Sequence, residues 1–224
     1  MRTTAAIVSA LGAALLVGGC AGHPAGPSAA PGDRATIVVN SGDSEFASLQ
    51  RWAREVNAGD VDAVTRKCWT MPPEYIRERY FGATSAVAAA LSTEPQQGQA
   101  GTNWKGPSGA TILLTWDEDK SPYACPKVSL AAGDDAPDYY VAYRVRRFIL
   151  REQGRPINPG DNEASYWLRC ALPVDRGEVA NVDRADADDV RVSMAGDHKW
   201  TATAGPVTFD VAYEPAEPCI SSAR

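Results

Sequence analysis

The chain has 224 residues, 44% of them hydrophobic and 22% charged, an ordinary globular composition that excludes collagen-like, coiled-coil or wholly disordered architecture. At about 150 residues per domain, it holds one domain with room for extensions. The net charge of −6 argues against nucleic acid as a partner, because phosphate binding needs a concentrated positive surface.

Residues 1–19 have the form of an export signal. Arg2 supplies a positive start, and an apolar run follows over residues 5–17. That run is shorter than the roughly 20 apolar residues that span a bilayer. Small residues then precede a cysteine. Val17-Gly18-Gly19-Cys20 resembles the lipobox of bacterial lipoprotein precursors, with Val17 where leucine is commonest. The resemblance implies a diacylglyceryl group on the Cys20 sulfur and cleavage just before it. The mature chain would then sit on the outer face of the cell membrane, held by lipid. Two acyl chains anchor far more firmly than one. An acidic body gains nothing from anionic headgroups, so the lipid itself must hold it there.

Residues 21–32 are dense in Pro and Gly and lack apolar periodicity, which reads as a semi-extended tether. The organisation expected is therefore a signal over 1–19, a lipidated Cys20 with its tether over 20–40, and a single exported domain over 41–224. His23 falls in the tether as a solvated side chain.

Four cysteines remain beyond the anchor: Cys68, Cys125, Cys170 and Cys219. An even count in an exported domain predicts two disulfides. Spacing does not choose among the three connectivities; the working pairing is Cys125 with Cys170 and Cys68 with Cys219. No C-x-x-C occurs, and the cysteines stand singly, which speaks against thioredoxin-like redox work and structural zinc.

In the domain, helical patterning comes first. Phe46, Leu49, Trp52, Ala53 and Val56 recur at helical spacing after the cap-type residues 43–45, and Gly59 is a stop. Asp60 caps a second helix carrying Val61, Val64 and Cys68. Pro73 opens a third segment with Tyr75, Ile76 and Tyr80, Gly82 interrupts it, and residues 85–91 continue as alanine-rich helix. Residues 94–103 read as loop. From there the period becomes two: Ile112, Leu114 and Trp116; Val128 and Leu130; Tyr139, Val141, Tyr143 and Val145; Tyr166, Leu168, Cys170 and Leu172; Val190, Val192 and Met194; Val207, Phe209, Val211 and Tyr213. The fold class expected is α+β, with two or three N-terminal helices packed on a five- or six-stranded antiparallel curved sheet. The phrase Trp52-Ala53-Arg54-Glu55-Val56-Asn57-Ala58-Gly59-Asp60-Val61-Asp62-Ala63-Val64 resembles the opening of the cone-shaped roll named after nuclear transport factor two. That resemblance implies helices closing a curved sheet around a cavity.

No catalytic residue, metal ligand or cofactor site stands out. His198, in Gly196-Asp197-His198-Lys199, reads as a turn between strands, and no G-x-S-x-G, S-x-x-K or H-E-x-x-H occurs. The acidic groups Asp183/Asp186/Asp188/Asp189, Asp117-Glu118-Asp119 and Asp134-Asp135 lack the EF-hand order and read as solvated loops. Asp60 and Asp62 would be candidate bases only if a cone enclosed them. Arg144 and Arg146 fall on one strand face, with Arg147 and Arg151 nearby, as a solvated basic stretch. Trp116 and Trp167 are expected as half-buried strand positions. The expectation is a monomeric, non-enzymatic, lipid-anchored envelope protein whose domain binds a protein partner or an envelope component. The alternatives are a carrier of a small apolar ligand in a cone-shaped pocket, or an enzyme using a carboxylate in such a pocket.

Overall fold

A computed structural model describes residues 35–39, 46–131, 136–170, 179–214 and 217–224. Cys20, the signal, His23, residues 43–45, Asp134-Asp135 and Leu172 lie outside the described residues. All described residues belong to one unit, Pro31–Arg224. Among them no helix is long and apolar enough to cross a membrane.

Packing begins earlier than the tether assignment over 20–40 implied. Ile37 is buried; its N–H donates to Asn57 Oδ1 and its carbonyl accepts from Asn57 Nδ2, both at 2.9 Å. Helix α1 (Ala47–Ala58) buries Leu49, Trp52, Ala53 and Val56 as its spacing predicts, and Gly59 ends it in the left-handed region at φ 76°. The Asp60 side chain accepts from Ala63 N at 2.9 Å and starts α2 (Val61–Lys67). Helix α3 (Pro73–Tyr75) opens with Pro73 and widens into a π-helical run, Ile76–Phe81, before α4 (Thr84–Leu91).

These helices pack on a four-stranded antiparallel sheet in the order β1 (Gln96–Gln97), β2 (Gly101–Lys105), β3 (Thr111–Thr115), β4 (Lys127–Ser129). The first core holds Leu49, Trp52, Tyr80, Trp104, Ile112 and Leu114. Strands β1 and β2 occupy much of the stretch read as loop. Apart from Gly101 and the buried Trp104 their residues are polar, and the backbones approach closely: at Gly101 an added Cβ would lie 2.0 Å from Leu114 O. Trp116 does not extend β3; it begins a short helix, α5 (Trp116–Lys120).

The largest correction concerns residues 139–145. They form no strand but the heart of a 15-residue helix, α6 (Asp138–Glu152). Its buried face is Tyr140, Val141, Arg144, Val145, Phe148 and Ile149, a recurrence of three and four. Two arginines on the inward side broke the apolar pattern, and alternating Tyr and Val imitated a strand. Helix α6 packs on a second antiparallel sheet, a meander of β5 (Arg191–Gly196), β6 (Lys199–Ala204), β7 (Val207–Tyr213) and β8 (Pro218–Ala223). The second core joins Val145, Phe148 and Ile149 to Trp200, Phe209, Val211 and Ile220. Helix α7 (Arg184–Asp188) precedes this sheet. Among the described residues, the strand predicted from Tyr166 is one bridge, Arg169 with Ile220.

The α+β class therefore holds, with two four-stranded sheets in place of one curved sheet of five or six. The two disulfides expected are present, but the working pairing is wrong. Cys68 joins Cys125 and Cys170 joins Cys219. Each bond closes a loop around its own sheet, because each sheet assembles largely from contiguous sequence.

Candidate ligand-binding cleft

The basic stretch supports a loop instead of facing water. Arg144, Arg147 and Arg151 recur at i, i+3 and i+7, one side of α6. Arg144 and Arg147 are 3% and 1% exposed. All three reach residues 161–167. Arg147 grips Asp161 with two prongs, Nε to Oδ2 at 3.2 Å and Nη2 to Oδ1 at 3.0 Å, and donates to Thr70 O at 3.2 Å. Arg151 donates to Glu163 at 2.6 Å, to Tyr166 O at 2.7 Å and also to Asp161. Arg144 donates to Trp167 O at 3.0 Å. Glu163 in turn accepts from the N–H groups of Leu168 and Arg169. Arg146 alone points elsewhere, to Asp188 at 2.8 Å.

This network presents Tyr166 and Trp167 at the rim of a cavity of about 290 Å³. Trp116, at the start of α5, stands on the same rim, its indole N–H donating to Gln99 O at 3.0 Å. The three rings are 41%, 40% and 38% exposed, respectively. Trp116 and Trp167 are thus rim residues and not half-buried strand positions. The cavity passes into an open groove of about 710 Å³, with which it shares Thr70, Asp117, Glu118, Ser165 and Tyr166. Trp69 borders that groove, edge-on to Tyr166 at 4.8 Å.

The cavity carries charge. Lys127 from β4 and Arg144 both pair with Glu217, Lys127 at 2.7 Å. Burial alone would raise the Glu217 carboxyl, but Arg144 and Lys127 outweigh it and hold it at about 2. Burial depresses Lys127, and Glu217 offsets part of that. Glu118 behaves oppositely. Its Oε2 accepts from Thr115 N at 3.2 Å and Thr115 Oγ1 at 3.0 Å in a capping box. Among the described residues its Oε1 accepts no hydrogen bond. Burial raises this carboxyl to about 7, and the Thr115 bonds and Lys127 recover only part of the shift. The side chain lines the cavity and keeps some surface toward it.

Glu118 thus stands in a short capped helix at the cavity and not in the solvated acidic loop that the sequence suggests. The signal that reveals it is Thr115-x-x-Glu118, a capping-box spacing that turns the third residue back onto the helix start. Lys127, Glu217 and Tyr166 carry no local sequence signal. The other candidates lie elsewhere. Asp60 and Asp62 are exposed on α2 and its cap, with no cone around them. His198 sits in the β5–β6 turn at φ 56°, as expected. Asp183 caps α7, Asp188 pairs with Arg146 and Asp189 with Arg191, so these carboxylates are already engaged. The metal-type grouping among the described residues, Cys170, Glu214 and Cys219, contains a disulfide, which withdraws both sulfurs from ligation.

No family model, curated protein or solved structure matches the chain. Fold and site together define an α+β domain with an aromatic-rimmed, charge-lined cleft between its two packed layers.

Proposed function

We propose that the chain is an exported lipoprotein, anchored at Cys20, whose domain binds a small molecule in the cleft bounded by Trp116, Tyr166 and Trp167. The observation that carries this reading is the convergence of the rings. Three of the five large hydrophobic side chains exposed among the described residues stand around one cavity. Exposed apolar area gathered at a concave site marks a place for a ligand or partner. The volume lies at the lower end of small-molecule sites, which span about 300–1,000 Å³. Its ionisable floor suits a polar ligand better than the purely apolar one expected for a carrier. The lipobox residues and the two disulfides support an extracytoplasmic setting. Native mass spectrometry of the full chain, purified in detergent from its own envelope, tests the reading. A co-purifying small mass that disappears in Trp167→Ala supports it, and a bare chain counts against it.

One observation favours a second reading, an enzyme. Two carboxyl groups at the same cavity titrate far apart, Glu118 at about 7 and Glu217 at about 2. A carboxyl that exchanges its proton near neutrality is suited to general acid–base work. Under this reading Glu118 is the acid–base group and Glu217, locked by Arg144 and Lys127, tunes the field. Turnover that falls sharply in Glu118→Gln would select it.

A further inference from the structure

We propose that the ligand of this cleft is a neutral saccharide, stacked on Trp116, Tyr166 and Trp167 and donating a hydroxyl to Glu118 Oε1. The inference rests on the small-molecule reading above and names the ligand class. Four observations lead to it. The rim is made of flat rings, which bind a ligand through apolar faces. The lining holds charged groups of both signs in equal number, Lys127, Arg144 and Arg147 against Asp117, Glu118 and Glu217. A dominant anion or cation therefore finds no matching field, whereas a neutral ligand with many donors and acceptors does. Glu118 Oε1 accepts no hydrogen bond among the described residues and is not one of their fully buried atoms, so it keeps surface on the cavity from which it can accept a ligand hydroxyl. Finally, the cavity continues past Tyr166 and Trp69 into the groove, which gives room for a chain of similar units. Sugar rings combine apolar C–H faces, a rim of hydroxyls and repetition.

The full chain in detergent would be titrated with neutral oligosaccharides (chitotriose, maltotriose, cellotriose, mannotriose and a glycan array beyond them) while tryptophan fluorescence is followed. Inorganic phosphate and tetramethylammonium serve as anionic and cationic probes. Saturable binding of a neutral saccharide is expected, weakened about tenfold or more by Trp116→Ala or Trp167→Ala. Glu118→Gln, which keeps the size of the side chain, should weaken it as well. Both tryptophans are exposed, so circular dichroism and melting should stay near wild type in those variants. If a charged probe binds in a Trp116-dependent way and no saccharide does, the saccharide class is wrong while the cleft remains a ligand site. Saccharide binding indifferent to all three variants overturns the placement. No binding of any probe overturns the saccharide class, and a bare chain in native mass spectrometry overturns the small-molecule reading with it.

Discussion

Arg147 and Asp161 form a two-pronged ion pair whose side chains are 1% and 0% exposed, between the middle of α6 and the first residue of the aromatic loop. A pair this deep contributes less by its own attraction than by the penalty for breaking it. Asp161→Ala leaves Arg147 and Arg151 without their shared carboxylate. A loss of about 3–5 kcal/mol in urea unfolding is expected. Tyr166 and Trp167 should also lose their fixed position. A variant within 1 kcal/mol of wild type would mean that the loop is held by other contacts.

The two cavity carboxyls predict a stability optimum on the acid side. Between pH 4.5 and 7 the folded chain keeps the Glu118 proton that the unfolded chain has released. Stability therefore falls as pH rises through that window, by up to about 3 kcal/mol, and levels off above 7. Glu217 acts in the opposite direction. Its carboxyl is lowered to about 2, so its contribution is present above 4.5 and is lost as pH falls toward 2. Denaturant titrations at stepped pH should show Glu118→Gln without the decline between 4.5 and 7. Parallel wild-type and variant profiles across that window would contradict the buried placement of Glu118.

How much of this was legible in the sequence depends on how local each signal is. Helix α1, the Asp60 cap, the Gly59 stop and the strands carrying Val192–Met194 and Val207–Tyr213 had their own periodicity and turn residues, and the structure contains them, whereas β6 and β8 were not read. Helix α6 did not, because Arg144 and Arg147 occupy inward positions where apolar residues would have marked the period. Strands β1 and β2 were hidden because, apart from Gly101 and the buried Trp104, their residues are polar. The cleft was the least legible feature. Its groups come from α5, β4, α6, the residue 161–167 loop and the approach to β8, and only the tertiary fold brings them together. The Thr115-x-x-Glu118 spacing was the one local clue.

The disulfides staple two layers separately, Cys68–Cys125 across 57 residues and Cys170–Cys219 across 49. In chain-entropy terms each contributes about 4 kcal/mol. Non-reducing peptide mapping should recover these two pairs and no crossed ones. Removing one bond with a Cys→Ser pair should lower the melting temperature while the other bond still forms. Recovery of Cys125–Cys170 or Cys68–Cys219 would contradict the arrangement.

Anchoring is tested apart from the domain. Cys20→Ala should abolish incorporation of labelled palmitate and release the chain from the membrane fraction, with the melting of the folded unit unchanged. Palmitate labelling that persists in Cys20→Ala would refute the lipobox assignment.

The six tryptophans permit a direct test of the cleft as a ligand site. Trp52, Trp104 and Trp200 are buried in the two cores, whereas Trp69, Trp116 and Trp167 border the cavity and groove. Protein labelled with 5-fluorotryptophan gives each residue its own fluorine resonance. The measurement is the fluorine spectrum before and after adding the small-molecule fraction of the organism's own envelope. The account predicts that Trp116 and Trp167 shift, and Trp69 with them if the ligand extends into the groove, while the three core resonances stay in place. Six unmoved resonances, or movement confined to the core tryptophans, would contradict it.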